Sequence, residues 1–180
     1  MIRLYILLLA NLTRLAVNKL RYGSRFRSGW VERISPKASL ALFGNGSICL
    51  GHNIELAPYV DVQVHGQGQL TIGDRVYMNR SCMISCHGKV SVGNGCMFGP
   101  GVKIFDNNHH FALGKGVSTD LSIGAVTIGN NCWIASDAIL LKGADVGDNC
   151  VVGAGCIVNS KIPANSIVRC GQSLSIEQLK

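Results

Sequence analysis

Two adjacent histidines, His109 and His110, lie in the stretch Phe105-Asp-Asn-Asn-His-His-Phe111 of a chain that has only five histidines. An imidazole titrates near neutrality, so it can take a proton from a nucleophile as that nucleophile attacks. Asp106 or a neighbouring backbone carbonyl is expected to orient such a ring. His52, His65 and His87 are expected at exposed turns. The eight cysteines include no Cys-x-x-Cys pair, and Cys82-x3-Cys86 has no second pair to complete a zinc site, so no metal centre is expected.

The elements that must hold these histidines follow a period of six. From Ile128, every sixth residue is aliphatic: Ile128, Ile134, Leu140, Val146, Val152 and Val158. At 47% hydrophobic composition, six such residues in a row arise by chance with a probability of roughly 1%. The same step runs through Val92, Phe98 and Ile104, through Ile72, Met78 and Ile84, and more weakly through Leu50, Leu56 and Val62. A period of six suits neither an amphipathic helix nor an alternating strand. It suits a short strand and a tight turn, three of which close a triangular coil that stacks into a parallel β-helix.

The cysteines obey the same register. Cys82, Cys96, Cys132, Cys150 and Cys156 each lie four residues after a register position, a slot shared with Val76, Val102, Ala138, Ala144 and Ile162. The slot calls for a small apolar side chain pointing inward, which a thiol supplies. Cys132 and Cys150 stack one coil apart within reach of a disulfide, but the register alone explains them, and free thiols are expected. The count breaks twice. A two-residue insertion falls near Cys86-His-Gly-Lys89, and residues 105–122 form an excursion without the pattern, read as a loop that carries function.

The net charge of +7 is not spread over the molecule. Residues 1–40 hold eight Lys/Arg and one acid, Glu32, whereas the remaining residues balance nine against nine. A neutral body ranks nucleic-acid binding last. The apolar run Leu4–Leu12 is too short to span a bilayer, and after Arg3 it resembles a signal-peptide start without a clear cleavage site. Two readings of this basic, apolar arm stand: a helix lying on an anionic membrane, or one capping the main domain or packing on another subunit.

A hexapeptide coil with a histidine-bearing excursion, followed by "TIGNNCWIASDAIL" and "VVGAGCIVNSKIPANSIV", resembles the left-handed β-helix acyltransferases. The similarity, over about residues 66–168, is to the sugar O-acetyltransferase branch with its galactoside, maltose, nodulation and polysaccharide enzymes. It implies an all-β left-handed parallel β-helix and a homotrimer, with acetyl-CoA as cosubstrate in the groove between prisms and no metal. The family's catalytic base lies five residues after the last register position before the loop, which is His109, with His110 as runner-up or substrate contact. The acceptor-binding asparagine falls on Asn79, and Asp106 joins the substrate side. The cofactor segments fall on Trp133 to Ser136, whose Ser136 amide would hold the reacting carbonyl, and on Gly153 to Cys156, including Ala154. Asn159 and Ser160 stand where the family has Thr-Lys, with Lys161 one place later; Arg169 is matched to a cofactor phosphate. His87 is placed near the groove. No counterpart is found for the acidic N-terminal acceptor residue of galactoside enzymes.

The expected division is an N-terminal arm over 1–30, the β-helix over 31–168 with its loop at 105–122, and a tail over 169–180. The resemblance implies transfer of acetyl from acetyl-CoA to a saccharide hydroxyl, of a surface polysaccharide or its precursor. Transfer to the amine of an amino-sugar nucleotide or a drug is the alternative, and a non-catalytic β-helix scaffold is the second. The cofactor and free thiols imply the cytoplasm, with peripheral membrane contact through residues 1–27.

Overall fold

A computed structural model describes residues 2–171; residues 172–180 of the expected tail lie outside it. A helix, Ile2–Tyr22, precedes a parallel β-solenoid of about six turns. Its three faces are here called A, B and C. Face A stacks Phe26–Arg27, Ser47–Leu50, Gln69–Ile72, Lys89–Val92, Ala125–Ile128, Asp145–Val146 and Lys161–Ile162. Face B runs from Arg33–Ile34 to Ile167–Val168, and face C from Ser39–Gly44 to Ile157–Val158.

The period of six becomes three inward columns. Leu50, Ile72, Val92, Ile128, Val146 and Ile162 pair in register up face A. Leu56, Met78, Phe98, Ile134 and Val152 do so on face B, and Val62, Ile84, Ile104, Leu140 and Val158 on face C. Apart from Ile162, which is half-buried and packs against the core, each of these is buried. The coil begins earlier than the weak Leu50 register indicates: Phe26 already pairs with Ile48 on face A. The early coils escape a strict hexapeptide count because their strands are longer. Ser39–Gly44 and Asp61–Gly66 each run six residues on face C, which puts Leu50 opposite Ile72 rather than eighteen residues on.

Tight corners demand backbone that most residues avoid. Three residues after a register position the chain turns through positive φ at Arg75 (54°), Asn131 (55°) and Asn149 (57°) between faces A and B. Ser81 (60°) and Asp137 (58°) do the same between faces B and C. Asn and Asp tolerate this region better than other side-chain-bearing residues. At the A–B corner the turn amides are also capped from the next coil. The N–H groups of His52, Asp74, Asn94 and Asn130 donate to the carboxylate or amide oxygens of Asp74, Asn94, Asn130 and Asp148, at 2.6–2.9 Å.

The cysteine slot is occupied as the register demands: Cys82, Cys96, Cys132, Cys150 and Cys156 are buried, and all eight cysteines are free thiols. Four of the slot thiols donate to a carbonyl of the next coil at 3.0–3.1 Å, as Cys96 does to Gly129. Burial pushes the thiols of Cys82 and Cys96 up to about 11 and that of Cys86 up to about 12.

The helix closes the open end of the prism. Leu15 and Asn11 are buried, and the Asn11 amide donates to the Glu32 carbonyl at 3.1 Å. Arg14 donates to the carbonyls of Ser35 and Pro36, and Lys19 to that of Ser28. Glu32, the one acid of the arm, is itself buried and accepts from the Ile54 N–H. Burial pushes its carboxyl above the usual range, against the opposing effect of that hydrogen bond.

Two predictions follow from this packing. Ile134→Ala opens a void in a column that cannot collapse without shifting a whole coil, so urea unfolding should show a loss of about 2–5 kcal/mol. Alkylation of the native protein at pH 8 followed by mass spectrometry should modify exposed Cys170 fastest and half-exposed Cys49 more slowly. The six buried thiols should react only after unfolding, because the thiolate is the nucleophile.

Candidate active site

The excursion is not the irregular loop expected from its lost register. Asn107–Ala112 and Gly116–Ile123 pair as an antiparallel hairpin leaving the corner between faces C and A. Its residues alternate and pair with each other, not with the prism, so the period of six disappears. His109 lies opposite Leu121, and the register shifts between His109 and Phe111. Across this irregularity His110 alone faces Ser118, Thr119 and Asp120, so the extra residues of the bulge lie on the second strand, a device that re-aims side chains.

The hairpin orients His109. Its Nδ1 lies 3.1 Å from the Ser118 carbonyl oxygen. A carbonyl can only accept, so Nδ1 carries the proton and Nε2 keeps its lone pair. The ring is exposed. Of the two orienting groups expected, the loop carbonyl does this, not Asp106. Asp106 is fully buried, and its carboxylate accepts from the backbone N–H groups of His87 and Gly88, both at 2.8 Å, and from the Asn107 amide at 3.2 Å. It caps the turn beside the hairpin root and is sealed from any acceptor. The assignment of Asp106 to substrate is thereby corrected.

Two other histidines are not simple turn residues. The rings of Phe43, His65 and His87 stack face to face in successive coils, with centroids 4.9 and 4.5 Å apart. His65 lies within the strand Asp61–Gly66. Burial, then the neighbouring His65, holds His87 below the usual imidazole range, and His109 adds to this, whereas Asp106 opposes it. The signal was present in the numbering, since 43, 65 and 87 are spaced by 22 residues, the length of an early coil. Only His52 sits as expected, in an exposed turn with Nδ1 3.3 Å from Asp74.

The remaining candidates sit elsewhere on the prism. Asn79, Ser136, Ala154 and Arg169 directly follow the face B strands Tyr77–Met78, Trp133–Ile134, Val151–Val152 and Ile167–Val168, or stand one residue further. They therefore share the B–C corner. Asn79 borders an open groove of about 410 Å³ with Arg33, Glu55, Tyr77 and Arg80. Trp133 projects from face B, half exposed. Asn159 and Ser160 lie at the C–A corner, both exposed, and Lys161 on face A approaches Asp145 at 3.9 Å.

The B–C corner differs from the A–B corner in one respect that bears on chemistry. The residues equivalent to the capped Asn94 and Asn130 are here Pro58, Arg80, Pro100, Ser136 and Ala154. Proline offers no N–H, and the Arg80 N–H is satisfied by the Asn79 side chain at 2.8 Å. For the Ser136 and Ala154 N–H groups no acceptor is found among the described residues, and the next coil offers only Ala154 and Cys170 where the other corner has Asn or Asp. Gly99 keeps the space beside Ser136 open: a Cβ on Gly99 would lie 2.5 Å from the Ser136 nitrogen.

One chain does not bring these groups together. His109 stands off one corner of face C, and Asn79 and Ser136 off the other. Five or six extended residues separate the corners, roughly 15–20 Å. Group transfer needs its partners within a few ångströms.

Residues 125–160 match the bacterial transferase hexapeptide repeat. Among curated relatives, the Escherichia coli galactoside O-acetyltransferase is 35% identical over 53% of this chain and 47% of its own length. A putative lipopolysaccharide biosynthesis O-acetyl transferase, WbbJ, from the same species is 28% identical over 69% and 68%. The chain thus spans about half the length of the galactoside enzyme. Among solved structures, AntD, an N-acyltransferase from Bacillus cereus in complex with dTDP and 3-hydroxybutyryl-CoA, superposes with a TM-score of 0.67 at 15% identity, over 84% of this chain and 81% of that one. A hexapeptide-repeat acetyltransferase from Vibrio cholerae gives 0.54 at 16% identity, over 89% and 85%. With its columns of every sixth residue, its parallel coils and this matched segment, the chain carries the hexapeptide repeat over residues 125–160 and folds as a left-handed β-helix.

Proposed function

We propose that the protein is an acetyl-CoA-dependent O-acetyltransferase acting on a saccharide hydroxyl, with His109 as general base. The observation that carries this is the bond from His109 Nδ1 to the Ser118 carbonyl. It presents a basic Nε2 on an exposed hairpin. The acceptor hydroxyl gives its proton to Nε2 as its oxygen attacks the thioester carbonyl carbon. The carbonyl oxygen then carries negative charge, which an unclaimed backbone N–H at Ser136 stabilises without reorganisation. Collapse expels the coenzyme A sulfur, which recovers the proton from the imidazole, and leaves the acetyl ester. Acyl transfer to sugars in the named relatives supports the substrate class, and a surface polysaccharide or its precursor is the acceptor we favour. The compartment is one that supplies acetyl-CoA and keeps thiols reduced, the cytoplasm.

The separation of the two corners implies that the site forms between subunits, in a homotrimer. The outer surfaces of the faces support this. Face A carries Thr71, Ser91, Thr127 and Asp145 outward in register, a surface suited to water. Face B carries Tyr77, Met97, Trp133, Val151 and Ile167, an apolar column suited to a partner. The hairpin adds exposed Phe111, Leu113 and Val117, which would pack on the adjacent prism and carry His109 towards Ser136 of the partner subunit. Ala154, Asn159, Ser160, Lys161 and Arg169 would contact the coenzyme along this groove, and Asn79 and His110 the acceptor.

Three measurements test the reading. An acceptor screen with acetyl-CoA, read by mass spectrometry, should yield an ester on a saccharide; an amide product would move the function to amino sugars. His109→Ala should lower kcat by roughly 100-fold or more with an unchanged melting curve, and full turnover in this variant would leave a non-catalytic scaffold. Gly99→Ala and Gly93→Ala impose similar backbone clashes, the first on Ser136 and the second on Gly129 and Asn130. Both should lower stability, but only Gly99→Ala should reduce kcat further, on the order of 100-fold.

A further inference from the structure

The N-terminal helix is apolar on two opposite sides, and only one of them is used by the prism. Leu15 and Asn11 face the first coil and are buried, and Tyr22 packs against the core. At 3.6 residues per turn, Tyr5, Ile6, Leu9, Leu12, Val17 and Leu20 fall within an arc of about 140° on the other side. All six are exposed, Leu9 by 67% and Leu20 by 87%. Thr13 is the one polar residue in that arc, and its hydroxyl turns back onto the Leu9 carbonyl at 3.1 Å. Arg14 and Arg21 border one edge of the arc and Lys19 the other. Lys19 Nζ sits 3.8 Å from the ring centre of Trp30, itself 55% exposed.

We propose that this outward face docks the protein onto an anionic phospholipid surface, the helix lying in the plane of the interface. The charge around it selects that occupant. Residues 1–54 contain eight Lys/Arg and one acid, and the acid, Glu32, is buried. No carboxylate of that segment therefore offsets Arg21 at the edge of the arc, or Arg25 and Arg27 in the stretch that follows the helix. Pairing the face with a second copy of itself would bring these like charges together across a two-fold axis, whereas lipid phosphates neutralise them. Trp30 at the edge is the residue type that settles at headgroup level. Insertion across the bilayer is not the mode, because no helix of the described residues is long and apolar enough to cross a membrane. The inference does not depend on the acetyl-transfer reading.

The test is flotation of the full chain with vesicles of phosphatidylcholine alone or mixed with phosphatidylglycerol, beside sedimentation of the protein without lipid. The wild-type chain should float with the mixed vesicles, and added salt should weaken binding. Leu9→Glu combined with Leu20→Glu should cut binding roughly tenfold or more, with an unchanged melting curve because both side chains are exposed. Arg21→Glu with Arg27→Glu, which leaves the apolar face intact, should abolish the preference for phosphatidylglycerol. A wild-type chain indifferent to both vesicles overturns the proposal, as does undiminished binding by the leucine pair. Dissociation of an oligomer by the leucine pair, with wild type ignoring vesicles, assigns the face to a second copy instead.

Discussion

Each inward side chain of the prism rests on its counterpart from the coil before, one parallel-strand spacing of about 4.8 Å away. The other features of the molecule follow from that stacking. A coil can add itself only if it places one apolar residue on each of three columns, which fixes the step at six where strands are short. The corners must then turn within very few residues, which selects Asn, Asp and Gly at positive φ. Contacts reach only neighbouring coils, so stability accumulates coil by coil, and the last coil exposed at either end needs a cover. The helix Ile2–Tyr22 supplies one at the N-terminal end through Leu15, Asn11 and Arg14.

Within so regular a lattice, the candidate site residues sit where regularity lapses. The A–B corner closes its amides with an unbroken chain of Asp and Asn acceptors from Asp74 to Asp148. The B–C corner substitutes Pro, Ser and Ala, and leaves the Ser136 and Ala154 N–H groups without an acceptor among the described residues. The C–A corner lapses differently, by ejecting a hairpin whose exposed apolar residues find no cover among the described residues. Both lapses leave groups open to a ligand or to a second prism.

The N-terminal helix resolves an apparent conflict in its composition. Apolar residues nearly encircle it, which argues against a simple one-sided amphipathic helix. Its inward side packs on the solenoid through Leu15 and Tyr22, as the capping reading expects, and its outward side carries the exposed apolar residues on which the membrane proposal rests. Arg14 and Lys19 lie at the edges of those faces, and both are tied to backbone carbonyls of the cap. They anchor the helix in one rotational setting.

The period of six, with the cysteine slot phased to it, determined the fold, because a strand of two or three residues and a tight turn leave no other periodic solution. The histidine pair was legible as a polar break in the apolar rhythm, and the count from Ile104 that singles out His109 came with the resemblance. The early coils were harder to read, since strands of six residues on face C replace the six-step by a 22-residue repeat, and with it the Phe43, His65 and His87 column was overlooked. Asp106 was misassigned for a related reason: a carboxylate next to a histidine pair looks like a partner for it, whereas burial and two backbone N–H donors belong to the packing of the turn. The resemblance put His109 forward as the base. Only the tertiary structure decided which carbonyl holds it, which amides are unclaimed, and that Asn79 and Ser136 stand a full prism face away, because those depend on how corners from distant coils align in space.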